Sequence, residues 1–156
     1  MKTNRRTFLK NSAAVSAVGL IVSAGLLSPR TVFAAWPKAA FEATDINTAV
    51  KSAFDTDSMT DSGDIKLKAP DIAENGAVVP ITVTSNIAGT ESISILIAQN
   101  PTPLTASFNL AGNTEGFVST RVKMSKTSEV VAVVKAGGKL YTAKKEVKVT
   151  IGGCGG

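Results

Sequence analysis

The residue in this chain best suited to chemistry is Cys154, the single cysteine among 156 residues. Two glycines stand on each side of it, in the run Ile151-Gly152-Gly153-Cys154-Gly155-Gly156. Glycine lacks a Cβ and samples most of backbone space, so residues 152–156 are expected to form a flexible arm. A cysteine meant for a core needs packed neighbours, and this run supplies none. The pattern points to a reactive thiol on a tether. The chain has no histidine, which excludes Ser-His-Asp and Cys-His catalysis and imidazole ligation of a metal within it. The groups that activate Cys154 are therefore expected on another protein or in the substrate. No catalytic, cofactor-binding or metal-ligating residue is expected in this chain.

The compartment bears on what a lone thiol can be. Asn4-Arg5-Arg6-Thr7-Phe8-Leu9-Lys10 precedes an apolar run from Ala13 to Leu27, then Ser28-Pro29-Arg30 and Val32-Phe33-Ala34-Ala35. A charged start, an apolar middle and small residues at a cleavage point read as a signal peptide over residues 1–34, cut between Ala34 and Ala35. Arg5 and Arg6, followed by Phe8, Leu9 and Lys10, resemble the twin-arginine signal that addresses proteins exported already folded. A general secretory signal and a retained anchor are the competing readings. The apolar run is short for a bilayer span of about 20 residues and is interrupted by Gly19, Ser23 and Gly25. The mature chain is expected in the periplasm, with no membrane attachment.

Removing that segment changes the charge argument. The whole chain carries a formal net charge of +5, but five of its seventeen basic residues lie within residues 1–34 and none of its twelve acidic ones does. The mature chain is neutral, and the case for a nucleic-acid partner disappears. Export also places the thiol in an oxidising space, where a single cysteine pairs between molecules or keeps a function of its own.

The elements that must position the arm come next. Residues 38–54, with Phe41, Ile46, Ala49, Val50, Ala53 and Phe54 near helical spacing, predict one amphipathic helix packed on the main domain. Residues 55–63 read as an acidic, solvated linker. Asp55, Asp57 and Asp61 resemble the start of a calcium loop, but Thr60 and Lys66 occupy the slots that require glycine and glutamate. From Asp64 onward, seven β-type runs recur at roughly 8–12 residues with turn signals between them. They lie near Ile65–Leu67, Ala77–Thr84, Glu91–Ala98, Leu104–Leu110, Gly116–Met124, Glu129–Lys135 and Leu140–Ile151. Gly137-Gly138 predicts a tight hairpin turn.

This spacing predicts an all-β fold, an immunoglobulin-like antiparallel β-sandwich over residues 64–151, preceded over residues 35–63 by the short helix and linker. Val147, Val149 and Ile151 alternate with Lys148 and Thr150, which anchors one face of the last strand in the core. The three residues from Ile151 to Cys154 then carry the sulfur about 10 Å beyond the strand end. The apolar runs near Ile93–Ala98 and 129–135 fit either a core or an interface.

Three uses of such an arm compete: a covalent carrier, a structural disulfide between molecules, and an immunoglobulin-like interaction module whose glycine tail is incidental. Ubiquitin-like sulfur carriers also end in Gly-Gly, but they use a terminal carboxylate activated in the cytoplasm, against which export and the β-sandwich both count.

The ending Val149-Thr150-Ile151-Gly152-Gly153-Cys154-Gly155-Gly156, behind a twin-arginine signal and an all-β body, resembles the SoxY family. Its members are sulfur-carrier subunits of the bacterial periplasmic thiosulfate-oxidising (Sox) system. The resemblance implies that Cys154 is the covalent attachment point for sulfur intermediates and that the chain is not itself an enzyme. It implies a heterodimer with SoxZ, another small all-β protein. It further implies a haem-containing enzyme that conjugates thiosulfate to the thiol as an S-thiosulfonate. A hydrolase would then release sulfate and, where that branch exists, a sulfane dehydrogenase would oxidise the remaining sulfur. A partner without its own signal could cross as a passenger of a folded complex, in keeping with Arg5 and Arg6.

Overall fold

A computed structural model describes residues 37–150. The export segment and the arm, including Arg5, Arg6, Phe8, Leu9, Lys10, Ala34, Ala35, Gly152, Gly153, Cys154, Gly155 and Gly156, lie outside the described residues.

Two helices, α1 (Lys38–Glu42) and α2 (Ile46–Phe54), precede nine strands. The strands are β1 (Met59–Asp61), β2 (Ile65–Lys68), β3 (Ile72–Ala73), β4 (Val79–Ser85), β5 (Thr90–Ile97), β6 (Leu104–Asn109), β7 (Phe117–Val122), β8 (Ser128–Ala136) and β9 (Lys139–Val149). The larger sheet runs β1-β9-β8-β5-β6, with β3 also pairing to β9, and the smaller runs β2-β4-β7. All seven runs read from the sequence are strands, and the all-β sandwich is the architecture found.

Alternation builds the layer between the sheets. Val79, Ile81 and Val83 of β4 are fully buried against Ile93, Ile95 and Ile97 of β5 and Val130, Ala132 and Val134 of β8. On the far face of the larger sheet, Leu96, Leu104, Val131, Val133 and Leu140 meet Ala40, Ala43, Ala49 and Val50 of the helical segment. The molecule thus has three layers: helices, larger sheet, smaller sheet. Strands β5 and β8 are buried on both faces, which identifies both ambiguous apolar runs as core. Their continuous apolar character is what a doubly covered strand requires.

Three features depart from the sequence reading. The single helix expected over residues 38–54 is two, because Ala43 is extended (ψ 144°) and Asp45 starts a new helix by accepting the Thr48 N–H at 2.8 Å. An aspartate in that role satisfies one of the donors that a helix N-terminus leaves open. Within the expected linker, Met59–Asp61 form β1, which pairs with Leu140–Thr142 of β9. That pairing is parallel, as is β3 with β9, so the sandwich is antiparallel apart from these two short edge strands.

The β8–β9 hairpin turns at Gly137 (φ 55°) and Gly138 (φ 72°), left-handed positions that a Cβ would strain. It delivers the eleven-residue β9 between β8 and the short edge strands β1 and β3.

Candidate functional site

Cys154 and its glycines lie outside the described residues; the strand end that precedes them in the chain, through Thr150, is described in full. The β8–β9 ladder runs from Ala136↔Lys139 to Ser128↔Val147 and ends there. Val147 is fully buried and Lys148 is exposed, as the predicted alternation requires.

Beyond Val147 the chain is gripped from both sides. On the β8 side the Thr127 hydroxyl accepts the Val149 N–H at 3.0 Å and donates to the Val149 carbonyl at 3.5 Å. On the opposite side β3 lies parallel to the strand, with the Lys148 N–H bonded to the Asp71 carbonyl at 3.0 Å. The Thr150 N–H is bonded in the same way to the Ala73 carbonyl at 3.1 Å.

Each of these holders is itself held. The Lys145 ammonium donates to the Ala69 carbonyl at 2.6 Å and sits 3.0 Å from an Asp71 carboxylate oxygen, bracketing the entry to β3. Asp71 is largely exposed, so water screens the ionic contact and the carbonyl contact is the firmer one. The segment before Thr127 is braced by Asn100, whose side chain donates to the Lys123 carbonyl at 2.8 Å and accepts the Ser125 N–H at 2.9 Å. Gly76 closes the arrangement: its carbonyl accepts the Met124 N–H at 2.7 Å, and an added Cβ would lie 2.5 Å from the Met124 carbonyl oxygen. No side chain fits there.

The sequence did not reveal these holders. Ile72-Ala73 is too short to show a period, and the hydroxyl of Thr127 gives no signal until β9 is in place beside it. At the turn before β4 the Asn75 side chain accepts the Ala77 N–H at 2.9 Å, the turn chemistry of an Asn-Gly pair.

Among the described residues no group of three or more His, Cys, Asp or Glu side chains could hold a metal ion. Surface depressions of about 300, 370 and 410 Å³ are present. The first lies between the start of α2 and the sheet, with Asp45, Met59, Glu129 and Lys144 on its walls.

Comparison with known proteins follows from this geometry. Residues 50–154 match the model of the family described as "Sulfur oxidation protein SoxY", a span that includes Cys154. The structure is similar to that of the sulfur carrier protein SoxY from Chlorobium limicola f thiosulfatophilum, with 48% sequence identity and a TM-score of 0.61. That similarity covers 66% of this chain and 94% of the other. A superoxide reductase (neelaredoxin) from Ignicoccus hospitalis is similar at 19% identity over 55% of this chain and 80% of that one. Its TM-score is 0.48. No curated protein sequence matches the chain. By the family match across its body and through Cys154, the chain belongs to the SoxY family of sulfur oxidation proteins.

Proposed function

We propose that Cys154 carries the sulfur intermediates of thiosulfate oxidation covalently and presents them, as a thiosulfonate and then a persulfide, to partner enzymes. Family membership makes the protein a sulfur carrier of sulfur oxidation. The observation that supports the finer reading is that the family match runs through the single cysteine of the chain.

The chemistry balances as follows. The Cys154 thiolate and the outer sulfur of thiosulfate join as an S–S bond, and two electrons leave to a haem-containing partner that acts as oxidant. Water then attacks the terminal sulfone. Its oxygen leaves as part of sulfate and two protons are released; the bond between the sulfane sulfur and the sulfone breaks, its electron pair staying on the sulfane sulfur, so that a cysteine persulfide remains. The carrier supplies a nucleophile and reach, while the partners direct oxidation and keep the sulfur from running further up the oxidation ladder.

The remaining assignments belong to the same proposal. Residues 1–34, with Arg5 and Arg6, direct folded export to the periplasm; residues 64–151 form the body; and residues 152–156 form the arm. A SoxZ-like all-β subunit completes a heterodimer. The sulfate-releasing hydrolase acts on Cys154 and, where that branch exists, a sulfane dehydrogenase follows.

Changing Cys154 to Ser tests the reading. Thiosulfate oxidation by cells relying on that variant is expected to stop, while its thermal unfolding midpoint stays at the wild-type value. Retained oxidation would refute covalent carriage at this residue.

A further inference from the structure

We propose that Thr127 and Lys145 are positioning residues that fix where the arm begins and so set how far Cys154 reaches. The inference rests on the carriage proposed for Cys154.

The β8–β9 ladder alone would release the chain at Val147. A strand end without partners opens readily, because few contacts oppose it. Here two devices extend the grip to Thr150. The Thr127 side chain stands in for the next rung on the β8 side. On the other side, β3 supplies the Asp71 and Ala73 carbonyls. A two-residue strand is a weak support by itself, and Lys145 holds its entry by bonding Ala69 and Asp71 together. Lys145 belongs to β9, so the strand that carries the arm also anchors the element that steadies it.

The consequence is a matter of tether length. From Thr150 to Cys154 is four residues, about 13–14 Å of extended chain; from Val147 it is seven, about 23–25 Å. The local concentration of a tethered group falls roughly as the −3/2 power of tether length once the span is reached. Releasing the root is therefore expected to slow delivery of the thiol to a pocket within the shorter reach by about two- to threefold.

The test uses Thr127→Val, Lys145→Met and their combination in the full chain, with Thr127→Ser as the variant that keeps the hydroxyl. Amide exchange at Val149 and Thr150 is compared with that at Val147. The initial rate at which Cys154 gains mass is followed after thiosulfate is added to cells making each variant, and alkylation of the thiol by iodoacetamide reports its intrinsic reactivity. In the double variant, exchange at Val149 and Thr150 is expected to rise about two- to tenfold, the range for one hydrogen bond of ordinary net strength. Val147 should not change. Loading slows two- to threefold, while alkylation and the unfolding midpoint hold steady, and Thr127→Ser behaves as wild type.

Unchanged exchange would show that these side chains do not hold the root. Faster exchange with unchanged loading would show that the root does not set reach. Either overturns the inference. Absence of loading in the wild-type chain would instead refute carriage at Cys154, and the claim about reach would fall with it while exchange still judged the grip.

Discussion

The side chains that hold the end of β9 act on backbone. Thr127, Lys145 and Asn100 bind backbone and hold position. Asp45 plays a different part, at the start of α2. Its carboxylate caps α2 by accepting hydrogen bonds at Thr48, chiefly, and these hold its pKa below the ordinary aspartate value. Because the folded pKa is the lower one, the cap stabilises the fold above the ordinary aspartate pKa and is lost as pH falls through the folded value. Asp45→Ala is therefore expected to lower the melting temperature at neutral pH. The difference from wild type should shrink below about pH 4, the ordinary carboxylate range. A melting difference that is the same at pH 3 and pH 7 would contradict this account of the cap. Of the residues that matter here, Cys154 stood out from its type and its glycine neighbours, whereas Asp45 lay inside the single helix expected over residues 38–54. Thr127 had no signal, since its role depends on a strand twenty residues later in the chain.

At the scale of elements, stability resides in the two strands buried on both faces. Leu96 faces the helices while Ile95 and Ile97 face the smaller sheet, and all three are essentially inaccessible. Leu96→Ala would leave a cavity under α1 and α2 and is expected to cost about 2–5 kcal/mol. Denaturant unfolding should show it as a lower midpoint with an unchanged slope, because the surface exposed on unfolding is nearly the same. A cost below about 1 kcal/mol would mean that the helices do not pack on this face as described. The longer strands were legible because their period-two pattern or continuous apolar run is local to the sequence. Val130 to Val134 looked ambiguous for a physical reason: a strand covered on both sides loses the alternation that separates core from surface. Strands β1 and β3 were not legible. They are two or three residues long, and each exists because β9 offers an edge to pair with. The break between α1 and α2 was hidden by the apolar residues on both sides of it, which keep near-helical spacing across Ala43-Thr44-Asp45.

At the largest scale, the described residues form a three-layer body whose longest strand, β9, runs through the larger sheet. The helices cover one face of that sheet and the smaller sheet covers the other, so the strand is steadied by the entire core. Such a body suits a carrier that must release its cargo site into other proteins without loosening itself. The covalent chemistry proposed is confined to one atom, the sulfur of Cys154, and that makes the central claim directly measurable. Intact-mass analysis of the protein isolated from cells oxidising thiosulfate should find a population heavier by one thiosulfate-derived group or one sulfur atom. Peptide mapping should assign that mass to Cys154, and reduction should remove it. A protein of unmodified mass throughout active thiosulfate oxidation, or with the added mass on any other residue, would contradict the account.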